Sequence, residues 1–560
     1  MRDLTLYRRE FLRRSALAAA SVAVLGCTPS VTAPGTSPTP GTTGAVGPTP
    51  TRGPTRGGTL TWGQWDRIDS IDPARTTGAA AGEVAQNIVD TLITMDADQK
   101  FYPALAQRWE IENGGQRFTF HLKDGVKTHD GATITAEAVK RTFERIRDPE
   151  LNAGGVLALI APIDTIETPD PLTVVFNMKQ PYYAFMLQIW RYFFGILSPK
   201  YLDTLQSGQL AEEPVGSGPF KFVSRSADGV VTLEAFADYD WGSEQYANKG
   251  PAYLERAQFR AIPEAATRVA TLESGENLLI DELSEIDYAR LRTDSRFTFV
   301  ESPRASHTIG FSFNVTKAPT DELAVRQAVN WAIDRKAIVD RLFSGVPKVS
   351  VGPLSHGVWS RLDELDQAYT FDPARARTIL DGAGWTVGPS GPIRQKGGQP
   401  LRIELKTFRS PWTDIAEAMQ AMLREVGIDL DVQRMQRAPY LELVRGYRHN
   451  MAASSSTNID PDGILRVVYH SANRGGGSNF SNTSDPQLDA LLETGRGQEL
   501  GTEERRKTYE DAQRRVMELM PFVGILSQVR LQAMSAEVHG YKPGPDGLTG
   551  QPLLDVWIES

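Results

Sequence analysis

The chain has 560 residues, 60 Lys+Arg against 69 Asp+Glu for a net charge of −9, 40% hydrophobic residues and a single cysteine. These proportions suit a globular protein of about three to four domain-sized units and exclude disorder throughout. One thiol excludes intrachain disulfides, thiolate zinc sites and Cys-ligated iron–sulfur clusters, and the mildly acidic balance argues against a general nucleic-acid binder.

The first element in chain order is an export signal over residues 1–26. A basic head, Tyr7-Arg8-Arg9-Glu10-Phe11-Leu12-Arg13-Arg14, precedes an apolar or small stretch from Ser15 to Gly26, and then comes Cys27. The apolar run is too short to span a bilayer, which takes about 20 residues. Arg8-Arg9 with Phe11-Leu12 is similar to the twin-arginine export motif. Val24-Leu25-Gly26-Cys27 is similar to a bacterial lipobox, whose Cys carries the lipid and begins the mature chain. Thr28 to Gly57 then hold nine Thr, seven Pro, six Gly and two Ser in 30 residues, with no acid. Such a stretch cannot build a core, and 27–57 reads as a tether, spanning on the order of 30 Å as a coil and up to about 90 Å as polyproline II. Removing the signal leaves 55 basic against 67 acidic residues, a mature net charge of −12.

No later apolar run approaches membrane-spanning length, so the rest reads as a soluble body. Phe118 to Leu122 alternates as a strand and ends at the Asp124-Gly125 turn. Thr135 caps a helix carrying Val139, Phe143 and Ile146 on one face, ended before Pro149. Val215 to Phe220, with Gly216-Ser217-Gly218-Pro219, lacks the Lys and following helix of a phosphate loop and reads as a tight turn. Asp321 and Glu322 open a helix running through Ile338 and closed by Gly345. Arg402–Leu405 reads as a strand, Asp414–Val426 as a helix stopped by Gly427, and Ile428–Val432 as a second strand, which together imply a parallel βαβ unit.

Catalytic signatures are absent: there is no His-Glu-x-x-His, Gly-x-x-x-x-Gly-Lys, Gly-x-Gly-x-x-Gly or Gly-x-Ser-x-Gly. The seven histidines lack ligand spacing and read as surface or satisfied core residues. No cofactor or metal is called for.

Several ordered blocks carry a resemblance instead. They are Pro103-Ala104-Leu105-Ala106-Gln107-Arg108-Trp109-Glu110, continuing through Phe118 to Lys127 and His129-Asp130-Gly131 to Thr135-Ala136-Glu137; Gly216 to Phe222; Ala266 to Glu276; and Val325 to Arg335. Together they resemble the family 5 extracellular solute-binding proteins of ABC importers, the dipeptide- and oligopeptide-binding group. The resemblance implies a type II, two-lobe periplasmic-binding-protein-like α/β fold with an extra α/β domain inserted in the first lobe. It places lobe I at 58–310 with the insertion at about 76–214, lobe II at 311–525, and a return to lobe I at 526–560. It implies a binder rather than an enzyme, enclosing a peptide or peptide-sized solute by hinge closure and passing it to permease subunits. The implied protein is a monomer at the outer face of the membrane, held through the lipid on Cys27. The alternatives are a non-peptide solute such as a sugar, a sensor's binder, and an extracytoplasmic hydrolase.

In the peptide-binding relatives an Asp receives the solute's α-ammonium, three residues before an acidic-Pro pair. Here the loop reads Ser454 to Asp462, with Thr457 at the anchor position and Asp460-Pro461-Asp462 closing the motif. The candidate polar contacts are therefore Ser456, Thr457, Asn458, Asp460 and Asp462. Trp62 and Trp65 after the first strand, Trp190, and Trp412 beside Arg409 are candidate stacking residues. Trp412 and Arg409 follow a strand's carboxyl end, where open α/β sheets place ligands, and Arg409 can grip a carboxylate bidentately.

Overall fold

The computed structural model describes residues 53–75, 78–388 and 391–559. The export signal, Cys27 and most of the tether lie outside the described residues. The tether's last residues rest on the body: Thr55 Oγ1 donates to Ile558 O at 2.9 Å, and the Arg56 guanidinium lies 5.5 Å from the centre of the Tyr253 ring.

Three sheets carry the body. The first has seven strands in the order 297–303, 529–535, 279–280, 59–64, 256–261, 231–235, 220–225. Thr59–Gln64 runs parallel to both of its neighbours. Buried sheet centres are built this way, since both faces must be covered. Ala79–Ile88 covers one face through Ala80, Ala81, Val84 and Ile88. Gly82 on this helix lets the hydroxyl end of the Tyr192 ring approach it, because a Cβ there would sit 2.4 Å from the ring.

The second sheet has six strands in the order 348–349, 522–527, 309–313, 451–454, 402–407, 429–434. Its parallel pair, with Leu405 opposite Val432, flanks the helix Trp412–Glu425. That is the expected βαβ unit, packed through Ile403, Leu405, Ile415, Met419 and Leu423. One expected element divides: Asp321 to Ile338 forms two helices, Leu323–Ala332 and Arg335–Leu342. Ile333 turns extended between them, Asp334 caps the second by accepting from Ala337 N at 2.9 Å, and Arg335 Nε donates to Gly524 O at 2.7 Å. A tertiary anchor thus competes with continued helix at this point.

The third sheet is antiparallel, in the order 106–112, 117–122, 173–178, 163–170. Ala136–Ile146 packs on it through Val139, Phe143 and Ile146, and Thr135 Oγ1 caps the helix at Ala138 N as expected. Among the described residues no helix is long and apolar enough to cross a membrane.

The chain passes between the first two sheets twice, through 304–308 and at Gln528, and Arg304 N donates to Gln528 O at 3.0 Å. Directly after the second crossing, Arg530 lies buried with Glu83 and Asp281. Its Nε is 2.8 Å from Asp281 Oδ1 and its Nη2 2.8 Å from Glu83 Oε1, which also accepts from Gly550 N. Burial pushes the Glu83 carboxyl up to about 7 despite the arginine. His307 and His449 are core residues, each fully buried and pushed down to about 4 by that burial, with Nε2 bonded and the buried Nδ1 meeting no partner among the described residues. His307 Nε2 lies 2.7 Å from Tyr469 Oη, and His449 Nε2 lies 3.0 Å from Phe480 O.

Candidate functional site

A cavity of about 320 Å³ opens where six segments meet: Trp65 just past the first strand, the helix Ala79–Ile88, the stretch Val89 to Met95 that follows it, Trp190 to Phe193, Gln245-Tyr246, and the loop 545–552. Trp190 Nε1 donates to Leu187 O at 3.0 Å, which fixes the ring. Arg191 spreads its guanidinium over Trp190 and Phe193, 5.2 and 5.9 Å from the ring centres, and sits 3.5 Å from Asp546. Asp546 Oδ1 in turn accepts from Leu548 N at 2.9 Å and from Thr549 N. Gly547 occupies φ +64 with Pro303 O where a Cβ would lie, so the loop packs directly on the crossing segment. Asp90, on the cavity wall, accepts from Ser217 Oγ and Trp241 Nε1, both at 3.0 Å. Burial pushes its carboxyl up to about 6 against these donors.

A second group gathers at the carboxyl end of 402–407. Trp412 is 2% exposed and stacks on Phe408 at 6.0 Å and 21°. Arg409 lies over both rings, 5.4 and 5.3 Å from their centres, a cation–π arrangement. Burial, then Arg437 and Arg304, lowers its pKa, and no carboxylate comes within ion-pair distance of it among the described residues. Trp412 is therefore the floor under Arg409 rather than an open stacking face.

The loop 454–462 runs beside the first crossing. His307 N donates to Ser456 O at 2.7 Å, Asn458 N donates to Ala305 O at 3.2 Å, and Ala305 N donates to Asp546 O at 3.2 Å. Thr457 bridges Ser306 along the backbone and its side chain is exposed. Ser456 Oγ donates to Gly463 O at 3.3 Å, and Asn458 Oδ1 accepts from Asp460 N at 2.9 Å.

Three of the sequence candidates hold the fold in this structure. Asp460 caps the helix Pro461–Tyr469 and pairs with the buried Arg505 at 2.9 and 3.0 Å. Asp462 is buried, with Oδ1 3.3 Å from Arg466 Nε, and burial followed by Asp460 pushes its carboxyl up to about 6. Trp62 lies within the first strand rather than after it. It is 0% exposed between Phe259 and Tyr541, because alternation along 59–64 turns Leu60 and Trp62 to the core. Trp65 and Trp190 come together on the cavity wall. Sequence reasoning missed Arg191, Gln245 and Asp546; adjacency to Trp190 was the one local signal, and it covered Arg191 alone.

Two α/β sheets joined by adjacent crossings, with a third, inserted sheet and a cavity beside the junction, define a two-lobe solute-binding protein. The profile of bacterial extracellular solute-binding proteins, family 5 Middle, matches residues 100–476, and the chain belongs to this family of ABC-transporter solute-binding proteins. Heme-binding protein A of Haemophilus influenzae is 30% identical over 469 residues, covering 80% of this chain and 82% of that protein. The structure of HbpA2 from Haemophilus parasuis matches with a TM-score of 0.79 at 26% identity, covering 90% of this chain and 100% of that one. The periplasmic binding protein DppA from Helicobacter pylori, in complex with the peptide STSA, matches at 0.70 and 25% identity, covering 90% and 99%.

Proposed function

We propose that this protein captures a peptide or peptide-sized solute between its lobes and presents it to the permease of an ABC importer, tethered outside the membrane by a lipid on Cys27. The observation that supports the solute class is Arg409, a cation laid over Phe408 and Trp412 with other arginines, not carboxylates, as its charged neighbours. A solute carboxylate supplies the missing partner, and a charge-assisted contact of this kind contributes about 1.5–3 kcal/mol. Thr457, exposed beside the crossing, offers a hydroxyl where the relatives of the peptide group carry an amine-binding carboxylate. The anchoring charge is thus carried at the solute's acidic end. A cavity of about 320 Å³ sits at the small end of ligand pockets, which run roughly 300–1,000 Å³.

Two measurements test this reading. Arg409→Ala is expected to weaken binding of di- and tripeptides by about 10- to 100-fold in calorimetry while leaving the unliganded melting temperature unchanged. Wild-type affinity in the variant would remove the carboxylate anchor, and a peptide library giving no thermal shift to the wild type would remove the peptide class. Labelled palmitate should mark the wild type grown in a bacterial host, whereas Cys27→Ser stays unlabelled and leaves the membrane fraction; equal labelling would refute the anchor.

A further inference from the structure

The cavity wall carries three buried polar atoms that meet no hydrogen-bond partner among the described residues: Trp65 Nε1, Arg191 Nε and Gln245 Oε1. A buried donor or acceptor left unmade forfeits its hydration with nothing in exchange, and folded proteins keep few of them. Neighbouring contacts hold Gln245 and Arg191 in place. Gln245 Nε2 donates to Met95 O at 2.8 Å, and since a carbonyl oxygen only accepts, the amide cannot be flipped and Oε1 stays the acceptor. Arg191 is held by two rings and by Asp546. The indole nitrogen of Trp65 can only donate.

Two donors and one acceptor discriminate between ligand chemistries. A carboxylate presents acceptors alone and leaves Gln245 Oε1 unmatched. An ammonium presents donors alone and leaves Trp65 and Arg191 unmatched. A secondary amide presents a carbonyl with two lone pairs and one N–H, which matches all three.

We infer that Trp65, Arg191 and Gln245 form a subsite that reads a peptide bond of the solute. Trp65 Nε1 and Arg191 Nε receive its carbonyl, and Gln245 Oε1 receives its N–H. The adjoining apolar wall of Met95, Trp190 and Leu548 takes an apolar or aromatic side chain next to that bond. The inference rests on the peptide reading above and adds to it the part of the solute that is read independently of its charged ends.

The experiment is calorimetry of the full chain with the tripeptides Ala-Phe-Ala, Ala-Leu-Ala and Ala-Met-Ala, and with analogues in which each amide in turn becomes an ester. An ester keeps the carbonyl and loses the N–H. In the wild type one of the two ester positions is expected to weaken binding at least tenfold, and in Gln245→Met that difference is expected to fall below twofold. Trp65→Phe is expected to weaken peptide and ester by the same factor, because its N–H meets the carbonyl that both retain. Equal wild-type affinity for peptide and both esters, or discrimination that survives in Gln245→Met, overturns the subsite and leaves the peptide reading standing. Tripeptides that produce no heat overturn both, and a monosaccharide panel run alongside shows whether hydroxyl groups meet the same three atoms instead. The wild-type comparison needs no variant, so the test holds even where Gln245→Met does not fold.

Discussion

Arg530→Met is expected to cost about 3–5 kcal/mol of folding stability, because it leaves Glu83 and Asp281 buried without their cation. All three side chains are at most 1% exposed, so solvent cannot replace the guanidinium. The loss carries a pH signature. Glu83 already titrates near 7 because burial outweighs Arg530, and without the arginine its pKa climbs further. A carboxylate whose folded pKa is raised stabilises the fold below its unfolded value, and that contribution disappears as pH rises through the folded value. The deficit of the variant against wild type is therefore smaller near pH 5 than near pH 8 in urea unfolding. A deficit that is the same at both pH values would show that lost packing, not stranded charge, causes the effect.

Asp460→Ala is expected to cost a similar amount, about 3–5 kcal/mol from stranding Arg505 and roughly 1 more from the lost helix cap. Arg505 is 2% exposed; beyond Asp460 it keeps a bond from Nε to Gly495 O at 3.0 Å and a place 4.9 Å from the centre of the Tyr509 ring, neither of which neutralises it. The same variant separates structure from recognition. Measured well below its melting temperature, solute affinity should stay within about threefold of wild type. A variant of normal stability that has lost the solute would return Asp460 to the binding site.

What the sequence made legible was local. The βαβ unit from Arg402 to Arg434 shows as alternating strands around a helix stopped by a glycine, and its periods survive in the structure because both neighbours lie close in sequence. The break after Ala332 was hidden, since it depends on Arg335 reaching Gly524 on a distant strand. Asp460 read as a solute contact because nothing near it in sequence announced Arg505. Trp62 and Trp65 look alike in composition, but alternation within the strand turns Trp62 into the core, while Trp65, just past the strand's end at Gln64, lines the cavity. Arg191, Gln245 and Asp546 belong to segments that only the finished topology brings together, so spacing could not connect them.

Ala305 sits in the first crossing with both of its peptide groups engaged in opposite directions. Its N–H is given to Asp546 O on the cavity loop, and its carbonyl takes the N–H of Asn458, next to Thr457. Residues 306 and 307 are bonded to Ser355, Ser456 and Tyr469, which belong with the second sheet. The two sheets are thus joined through the peptides around Arg304 and Gln528, with the two bonds of Ala305 alongside. Ala305 ties the loop that lines the cavity to the loop that carries Thr457 through a single residue.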